Sequence, residues 1–219
     1  MQISIAPIIL ASTSPRRREL ISLFGLGVQF VSADIDESAV ENEAPADLVF
    51  RLSRAKAEVG ARNSANPNPI VIGADTIVSF DDGILGKPSD SDDAVRMLKQ
   101  LRNRSHVVFS GVTVRRAANI VTLIARTTVY MRNYSDGEIS AYVATGDPLD
   151  KAAAYAIQNH DLAPVARIEG CHANVMGLPL CHLYRAFKAI GLDLSEPDRA
   201  CQDHLQIVCP VARDILRAP

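Results

Sequence analysis

The chain has no tryptophan, and its only aromatics are five tyrosines and six phenylalanines among 219 residues. These rings do not alternate with basic residues as in a single-strand binder, which stacks bases on aromatic side chains. Charge of either sign is not in excess: the formal net charge is -2. A general attraction to nucleic acid polymers or acidic membranes is therefore excluded, and any anion site must be local. No segment is both long and apolar enough to span a bilayer. The N-terminal MQISIAPIILAS has no positive stretch and its apolar run stops at Ser12. That is not a signal peptide, and a cytoplasmic location is expected. The four cysteines, Cys171, Cys181, Cys201 and Cys209, contain no C-x-x-C pair, so reduced thiols that pack are the expected state. Neither a G-x-x-x-x-G-K-S/T loop nor a G-x-G-x-x-G turn is present, so a nucleotide, if bound, is held by other means. His106, His160, His172, His182 and His204 are scattered and read as core or surface histidines.

What is present describes a globular chain. It is 47% hydrophobic and 22% charged, which fits one domain with a sizeable core, or one domain with an appendage. Pro7–Ala11 reads as a short buried strand and Val28–Ser32 as a second. Residues from about Pro45 to Asn63 read as a helix with Leu48, Leu52, Ala55 and Val59 on one face. A loop at 63–69 precedes the β-branched run Ile70–Phe80, after which Asp82-Gly83 suggests a hairpin turn. Val107–Val114 and Ile120–Val129 read as paired strands, Ala163–Ile168 as a short strand and Leu180–Ile190 as a helix. The βα units with a central antiparallel run predict an α/β fold: a mixed twisted sheet flanked by helices. Residues 1–194 form the expected domain, with 195–219 a C-terminal appendage, partly helical at best.

The stretch Ser14-Pro15-Arg16-Arg17-Arg18-Glu19 opens a helix, with Ser14 as its expected N-cap and Pro15 at the first position. Three arginines in a first turn oppose the helix dipole by roughly 0.3–1 kcal/mol each. The other helix starts obey the dipole rule: Ser89-Asp90-Ser91-Asp92-Asp93 is acidic, and Ser135-Asp136-Gly137-Glu138 is a capping box. Either the arginines pair with acids and water, or something strongly anionic binds there on backbone N–H groups and guanidinium forks.

Three further clusters stand out. Asp34-Ile35-Asp36-Glu37 follows the second strand; it is a solvated loop or a ligand set for a hard divalent cation. The spacing of Asp34, Asp36 and Ser38 also fits an aspartyl-phosphate phosphatase loop, though no long apolar strand leads into it. Asp75, inside VIGADTIVSF, costs several kcal/mol if buried, charged and unpaired. It therefore has a partner: a metal, a lysine or a nearby N–H. Lys87 follows on the rigid turn Gly86-Lys87-Pro88. In the run from Thr145 to Gln158, Gln158 can present a donor and an acceptor to a base edge, while Lys151 and Tyr155 read as local packing and pairing.

Taken in order, LAS-x-SPRR-x-EL (Leu10–Leu20), the DES after the second strand, RAKA (Arg54–Ala57), GADTIV (Gly73–Val78), LGKP (Leu85–Pro88), H-x-V-x-SGV (His106–Val112), DPLDKA-x-AYAIQ (Asp147–Gln158) and NVMGLPL (Asn174–Leu180) resemble the Maf family of nucleotide pyrophosphatases. The resemblance covers roughly residues 7–190. It implies a mixed α/β fold with a nucleotide-binding cleft, often in a homodimer. It also implies metal-dependent hydrolysis of nucleoside triphosphates to the monophosphate and pyrophosphate. The SPRR, ADT and IQ triple is similar to the dTTP/UTP type. The resemblance then implies that Arg16, Thr76 and Gln158 set base choice and that Asp75 accepts a proton. On this reading Ser12, Ser14, Arg16 and Arg17 hold phosphate oxygens, Lys56 and Lys87 add positive charge, and Glu37 and Asp75 coordinate Mg²⁺, Mn²⁺ or Co²⁺. Arg18, one position further round, faces solvent. A nucleotide-binding regulator of septum formation, with catalysis secondary, is the alternative. One departure is DKAAAYAIQ (Asp150–Gln158), where the family commonly reads DKAGAYGIQ, with glycine in place of two of these alanines. If the backbone there needs a positive φ, alanine is costly.

Overall fold

The computed structural model describes residues 7–81 and 83–218. Met1–Ala6, with the start of the N-terminal run, and Asp82 of the expected hairpin turn lie outside them. The elements run β1 (Ile8–Ala11), α1 (Pro15–Ser22), β2 (Val28–Val31), α2 (Pro45–Arg62), β3 (Ile70–Phe80), β4 (Gly83–Leu85), α3 (Ser91–Leu101), β5 (Ser105–Arg116), β6 (Asn119–Met131) and α4 (Asp136–Ala144). Two 3₁₀ turns, Asp147–Asp150 and Ala152–Ala154, lead to β7 (Val165–Glu169), α5 (His172–Met176), α6 (Leu180–Ala189), α7 (Asp198–Leu205) and α8 (Ala212–Arg217).

The strands form one mixed sheet in the order β2-β1-β3-β5-β6-β7, with β4 hairpinned onto β3. β1 is parallel to both β2 and β3, whereas β3, β5, β6 and β7 pair antiparallel. Side chains alternate across the sheet, as strand geometry requires. Ile8, Leu10, Ile70 and Ile72 pack with Leu20 and Ile21 of α1 and with α6. Ile9, Ala11 and Val71 pack with Ala57 of α2 on the other face. Both faces are thus covered, which is why β1 and β3 read as continuous apolar runs.

This arrangement makes β1 a switch point. The connection from β1 to β2 runs through α1 on one face, and that from β2 to β3 through α2 on the other. Open α/β sheets bind ligands in the crevice outside the carboxyl ends of strands at such a point. The register defines the crevice: β1 and β2 stop at Ala11 and Val31, paired with each other, and Ala11 lies opposite Gly73. β3 continues beyond them, carrying Asp75 and Thr76 past the end of its parallel neighbour.

Two glycines let α2 press against the sheet. A Cβ on Gly73 would lie 2.1 Å from the Ser53 carbonyl oxygen and 2.6 Å from the Ala57 nitrogen. One on Gly111 would lie 2.2 Å from the Val49 carbonyl oxygen. Gly111 is the register partner of Asp75, so this close approach is what brings α2 over the carboxylate. The helix starts divide as the sequence indicates. Asp90 caps α3 through Asp93, and Ser135 with Glu138 forms a complete capping box on α4. The region after 195 folds into α7 and α8, whose Cys201, Leu205, Val211 and Ile215 pack against the α6 side of the core.

Candidate active site

The crevice holds a cavity of about 390 Å³ whose lining includes Ser12, Ser14, Arg16, Arg17, Glu37, Lys56, Asp75, Thr76, Lys87 and Gln158. These ten residues, singled out from the sequence, come from six separate segments. The tertiary fold brings all of them together.

Alternation along β3 sends its two polar residues to opposite faces. Asp75 follows Val71 and Gly73 toward α2, where Lys56 stands one residue before Ala57. The Lys56 ammonium donates to Asp75 Oδ1 at 2.6 Å. It also lies 2.6 Å from Glu37 Oε1, at the end of the loop after β2. The partner demanded by the buried Asp75 is therefore a lysine. Only Glu37 of the acidic triplet reaches the cavity lining: Asp34 and Asp36 are exposed, and Asp36 caps Ser38 N at 2.9 Å. Burial alone would raise the Glu37 carboxyl. Its hydrogen bond to Lys56 and the charges of Lys56, Lys87 and Arg17 outweigh this and hold it below its ordinary value.

Thr76 points to the other face and meets α1. The Arg17 guanidinium donates from Nε to the Gly177 carbonyl at 2.8 Å, from one terminal nitrogen to Thr76 Oγ1 at 3.1 Å and from the other to Ser12 Oγ at 3.4 Å. Thr76 Oγ1 also shares a hydrogen bond with Ser110 Oγ at 2.8 Å. Arg17 therefore links β1, β3 and the carboxyl end of α5. Burial pulls its pKa below the ordinary arginine value, and the charge of Asp75 opposes that pull. Gly177 accepts this bond from a left-handed conformation, φ 107°, that closes α5.

Ser14 occupies the N-cap position of α1 with extended backbone, but its hydroxyl makes no cap hydrogen bond. The expectation that it satisfies the first turn is corrected on that point. The turn's N–H groups receive no side-chain cap, and the Ser14 backbone N–H instead donates to Ser12 Oγ at 3.2 Å. The three arginines divide. Arg16 lines the cavity, 3.7 Å from Asp150. Arg17 is half-buried and held as described. Arg18 is exposed, as expected, and also lies over the Phe30 ring, 4.8 Å from its centroid.

The fourth wall is the segment 150–158. Lys151 is buried and bonds Asp147 Oδ1 at 2.8 Å and Asp150 Oδ1 at 2.6 Å, the local pairing read from the sequence. Tyr155 packs in the core and bonds His106 Nε2 at 2.7 Å; burial lowers His106 to about 4. Ala153 and Ala154 are both left-handed, with φ 58° and 60°. The Ala153 N–H donates to the Gly86 carbonyl at 2.8 Å, which ties this turn to the one carrying Lys87. The sequence did not single out Asp150 or Gly177. Asp150 is hidden because its neighbour across the cavity is set by folding, and Gly177 because its contribution is a carbonyl oxygen.

The donor set of Glu37 and Asp75 fits a hard divalent cation. Two carboxylates from different segments face one polar cavity, and a magnesium-like ion takes one or two carboxylates plus substrate phosphate oxygens. Among the described residues no group of three His, Cys, Asp or Glu side chains could hold a metal by itself.

A family model described as Maf-like protein matches residues 7–190, the span that contains every element of the cavity. The chain belongs to the Maf family. A dTTP/UTP pyrophosphatase of Geotalea uraniireducens is 48% identical over 84% of this chain and 95% of its own length. One of Dictyoglomus turgidum is 45% identical over 85% of this chain and 97% of its own. One of Salinibacter ruber is 43% identical over 89% and 96%. The matched span begins just before β1 and ends at Ile190, at the end of α6. Family membership therefore accounts for the sheet, α2 and the crevice, and leaves α7 and α8 outside.

Proposed function

We propose that this chain hydrolyses dTTP and UTP between the α- and β-phosphates, releasing the monophosphate and pyrophosphate. The observation that carries the reading is the pairing, across one cavity, of an uncapped cationic helix start with the Glu37–Lys56–Asp75 cluster. A triphosphate is a multiply charged anion, and the first-turn N–H groups of α1 with Arg16 offer oriented donors to it. Lys56 and Lys87 bring positive charge from the opposite side, where charge grows on the leaving pyrophosphate.

Asp75 is placed to orient the attacking water and take its proton. Lys56 holds that carboxylate in position. Glu37 and Asp75 would hold Mg²⁺, Mn²⁺ or Co²⁺, which when bound would neutralise phosphate charge. Arg17 acts chiefly as a clamp that fixes Ser12 and Thr76, so Thr76 influences base choice through the wall it shares with Arg17. Gln158, half-buried at the far wall, offers both donor and acceptor to a pyrimidine edge. The reading carries with it a homodimer acting in the cytoplasm on free nucleotides, as the family resemblance implies.

The experiment is a panel of nucleoside triphosphates, including modified pyrimidines, with Mg²⁺, Mn²⁺ or Co²⁺, following products by chromatography. The expected result is monophosphate and pyrophosphate in equal amounts, with dTTP and UTP favoured. Release of orthophosphate, or no turnover with any metal, would overturn the reading.

A further inference from the structure

Ser110 is fully buried in the middle of β5, and its neighbours on the same face, Val108 and Val112, are buried and apolar. It is the register partner of Thr76, so the two side chains stand side by side on the α1 and α5 face of the sheet. Thr76 lines the cavity and Ser110 lies behind it. The Ser110 hydroxyl meets the Asn174 carbonyl at 3.2 Å and Thr76 Oγ1 at 2.8 Å. A core serine that pins α5 to β5 accounts for the first contact. The second has a further consequence, because a hydroxyl carries only one proton. A carbonyl oxygen can only accept, so the Ser110 proton goes to Asn174. Toward Thr76, Ser110 is therefore the acceptor and Thr76 the donor. Thr76 Oγ1 in turn accepts from a terminal nitrogen of Arg17 at 3.1 Å, and a guanidinium never accepts. The other acceptor in contact with Thr76 Oγ1 is the Gly177 carbonyl at 3.4 Å, again a group of the protein. The protons thus run one way, from Arg17 through Thr76 and Ser110 to Asn174. Both ends are fixed. Arg17 Nε donates to the Gly177 carbonyl at 2.8 Å. The buried Asn174 amide donates to the Val108 carbonyl at 3.1 Å and to Thr127 Oγ1 at 2.9 Å. What Thr76 leaves for the cavity is a lone pair without a proton.

We infer that Ser110 is a positioning residue that sets pyrimidine choice by holding Thr76 as an obligate hydrogen-bond acceptor. The inference rests on the nucleotide reading of the cavity proposed above, and adds a residue that touches no substrate. Uracil and thymine carry an N–H at ring position 3, which an acceptor satisfies. Cytosine carries a bare nitrogen at that position, so two lone pairs would face each other. Polar groups left unpaired in a site built for a hydrogen bond are what reject the wrong substrate. Gln158, which lines the same cavity, does not make this distinction by itself. Its amide can turn over and meet a 4-oxo or a 4-amino group alike. A hydroxyl whose proton is already committed has no such freedom.

The test measures the affinity of the full chain for UTP and CTP analogues with a methylene bridge between the α- and β-phosphates, so the readout needs no turnover. Wild type should favour the UTP analogue. Ser110→Ala frees the Thr76 hydroxyl to turn and donate to cytosine. It should shrink the preference by about three- to tenfold, the worth of one hydrogen bond, mainly through tighter binding of the CTP analogue. Ser110→Cys keeps the volume but offers only a weak donor and acceptor, and gives the same reading should the alanine variant not fold. In a Thr76→Val background no hydroxyl is left to direct, so adding Ser110→Ala should not change the preference further. A preference unchanged in Ser110→Ala, or equal weakening of both analogues, would overturn the inference and leave Ser110 a core serine. So would a shift that persists in the Thr76→Val background, or a wild type that binds the two analogues alike. Absence of pyrophosphate release with the preference and its Ser110 dependence intact would strike the proposed reaction alone.

Discussion

Lys56 Nζ stands 2.6 Å from Asp75 Oδ1, with the two side chains only 9% and 7% exposed. The pair is set by α2 lying on β3, and each member satisfies a charge that the other would leave uncompensated. Asp75→Asn keeps the shape and the link from Lys56 to Glu37. It should retain nucleotide binding and lower turnover by about 100- to 10,000-fold, the usual contribution of a positioned general base. Comparing the affinity for a non-hydrolysable analogue with the rate on dTTP separates the two effects; wild-type turnover would remove Asp75 from its assigned role.

Lys56→Met strands the carboxylate instead. Removing one partner of a buried pair typically costs about 3–5 kcal/mol, and the open cavity on one side places this case at the low end, about 3 kcal/mol. Urea denaturation measures it. Lys56→Met combined with Asp75→Asn should recover much of that stability without recovering activity.

The close packing of α2 makes a second kind of prediction. In Gly73→Ala the new methyl meets backbone atoms of Ser53 and Ala57, which cannot rotate away. The helix must shift, at a cost of about 1–3 kcal/mol or more, and Lys56 moves with it. Stability and turnover should therefore fall together, although residue 73 touches no substrate.

Ala154 reads the other way. Its φ of 60° is a conformation that glycine adopts without strain and alanine does not. Ala154→Gly relieves a strain of about 1–3 kcal/mol against a loss of about 0.4–1 kcal/mol from the looser unfolded chain. A net gain of about 1 kcal/mol in denaturant unfolding is expected. Ala156, an alanine at a family glycine position, is not among the residues with positive φ, and Ala156→Gly should give no such gain.

The α4 capping box gives a pH dependence of defined sign. The backbone N–H of Ser135, the Arg132 guanidinium and the Ser135 hydroxyl hold Glu138 down at about 2, from 4.5. A depressed carboxyl stabilises the fold fully above its unfolded value and loses that contribution as pH falls through the folded one. The melting-temperature gap between wild type and Glu138→Ala should therefore be constant above pH 4.5 and close toward about 2. A gap that widened in acid would contradict the assignment.

Much of the fold was legible because local rules and tertiary demand agreed. Ile70–Phe80 is read from its β-branched run and forms β3 with those bounds. Pro45–Arg62 follows its apolar face and its proline start. The boundaries that slipped are those where pairing decides: β5 and β6 extend past the apolar run to Arg116 and Asn119 because a ladder partner is present. Some site residues were legible because they break a local rule, whereas Lys56 and Thr76 came from the family resemblance. Arg16 and Arg17 oppose a helix dipole, and Asp75 interrupts an apolar strand. Ser14 misled for a related reason: a residue type favoured at an N-cap does not guarantee that its hydroxyl turns to the helix.

The sequence by itself determined the element order, the capping of α3 and α4, and the demand that Asp75 have a partner, because propensity, side-chain period and the cost of a buried charge act over a few residues. Only the tertiary structure decided that the partner is Lys56 and that Thr76 serves the opposite face with Arg17. Those relationships depend on sheet register and on how closely α2 approaches the sheet, distances that no local pattern encodes.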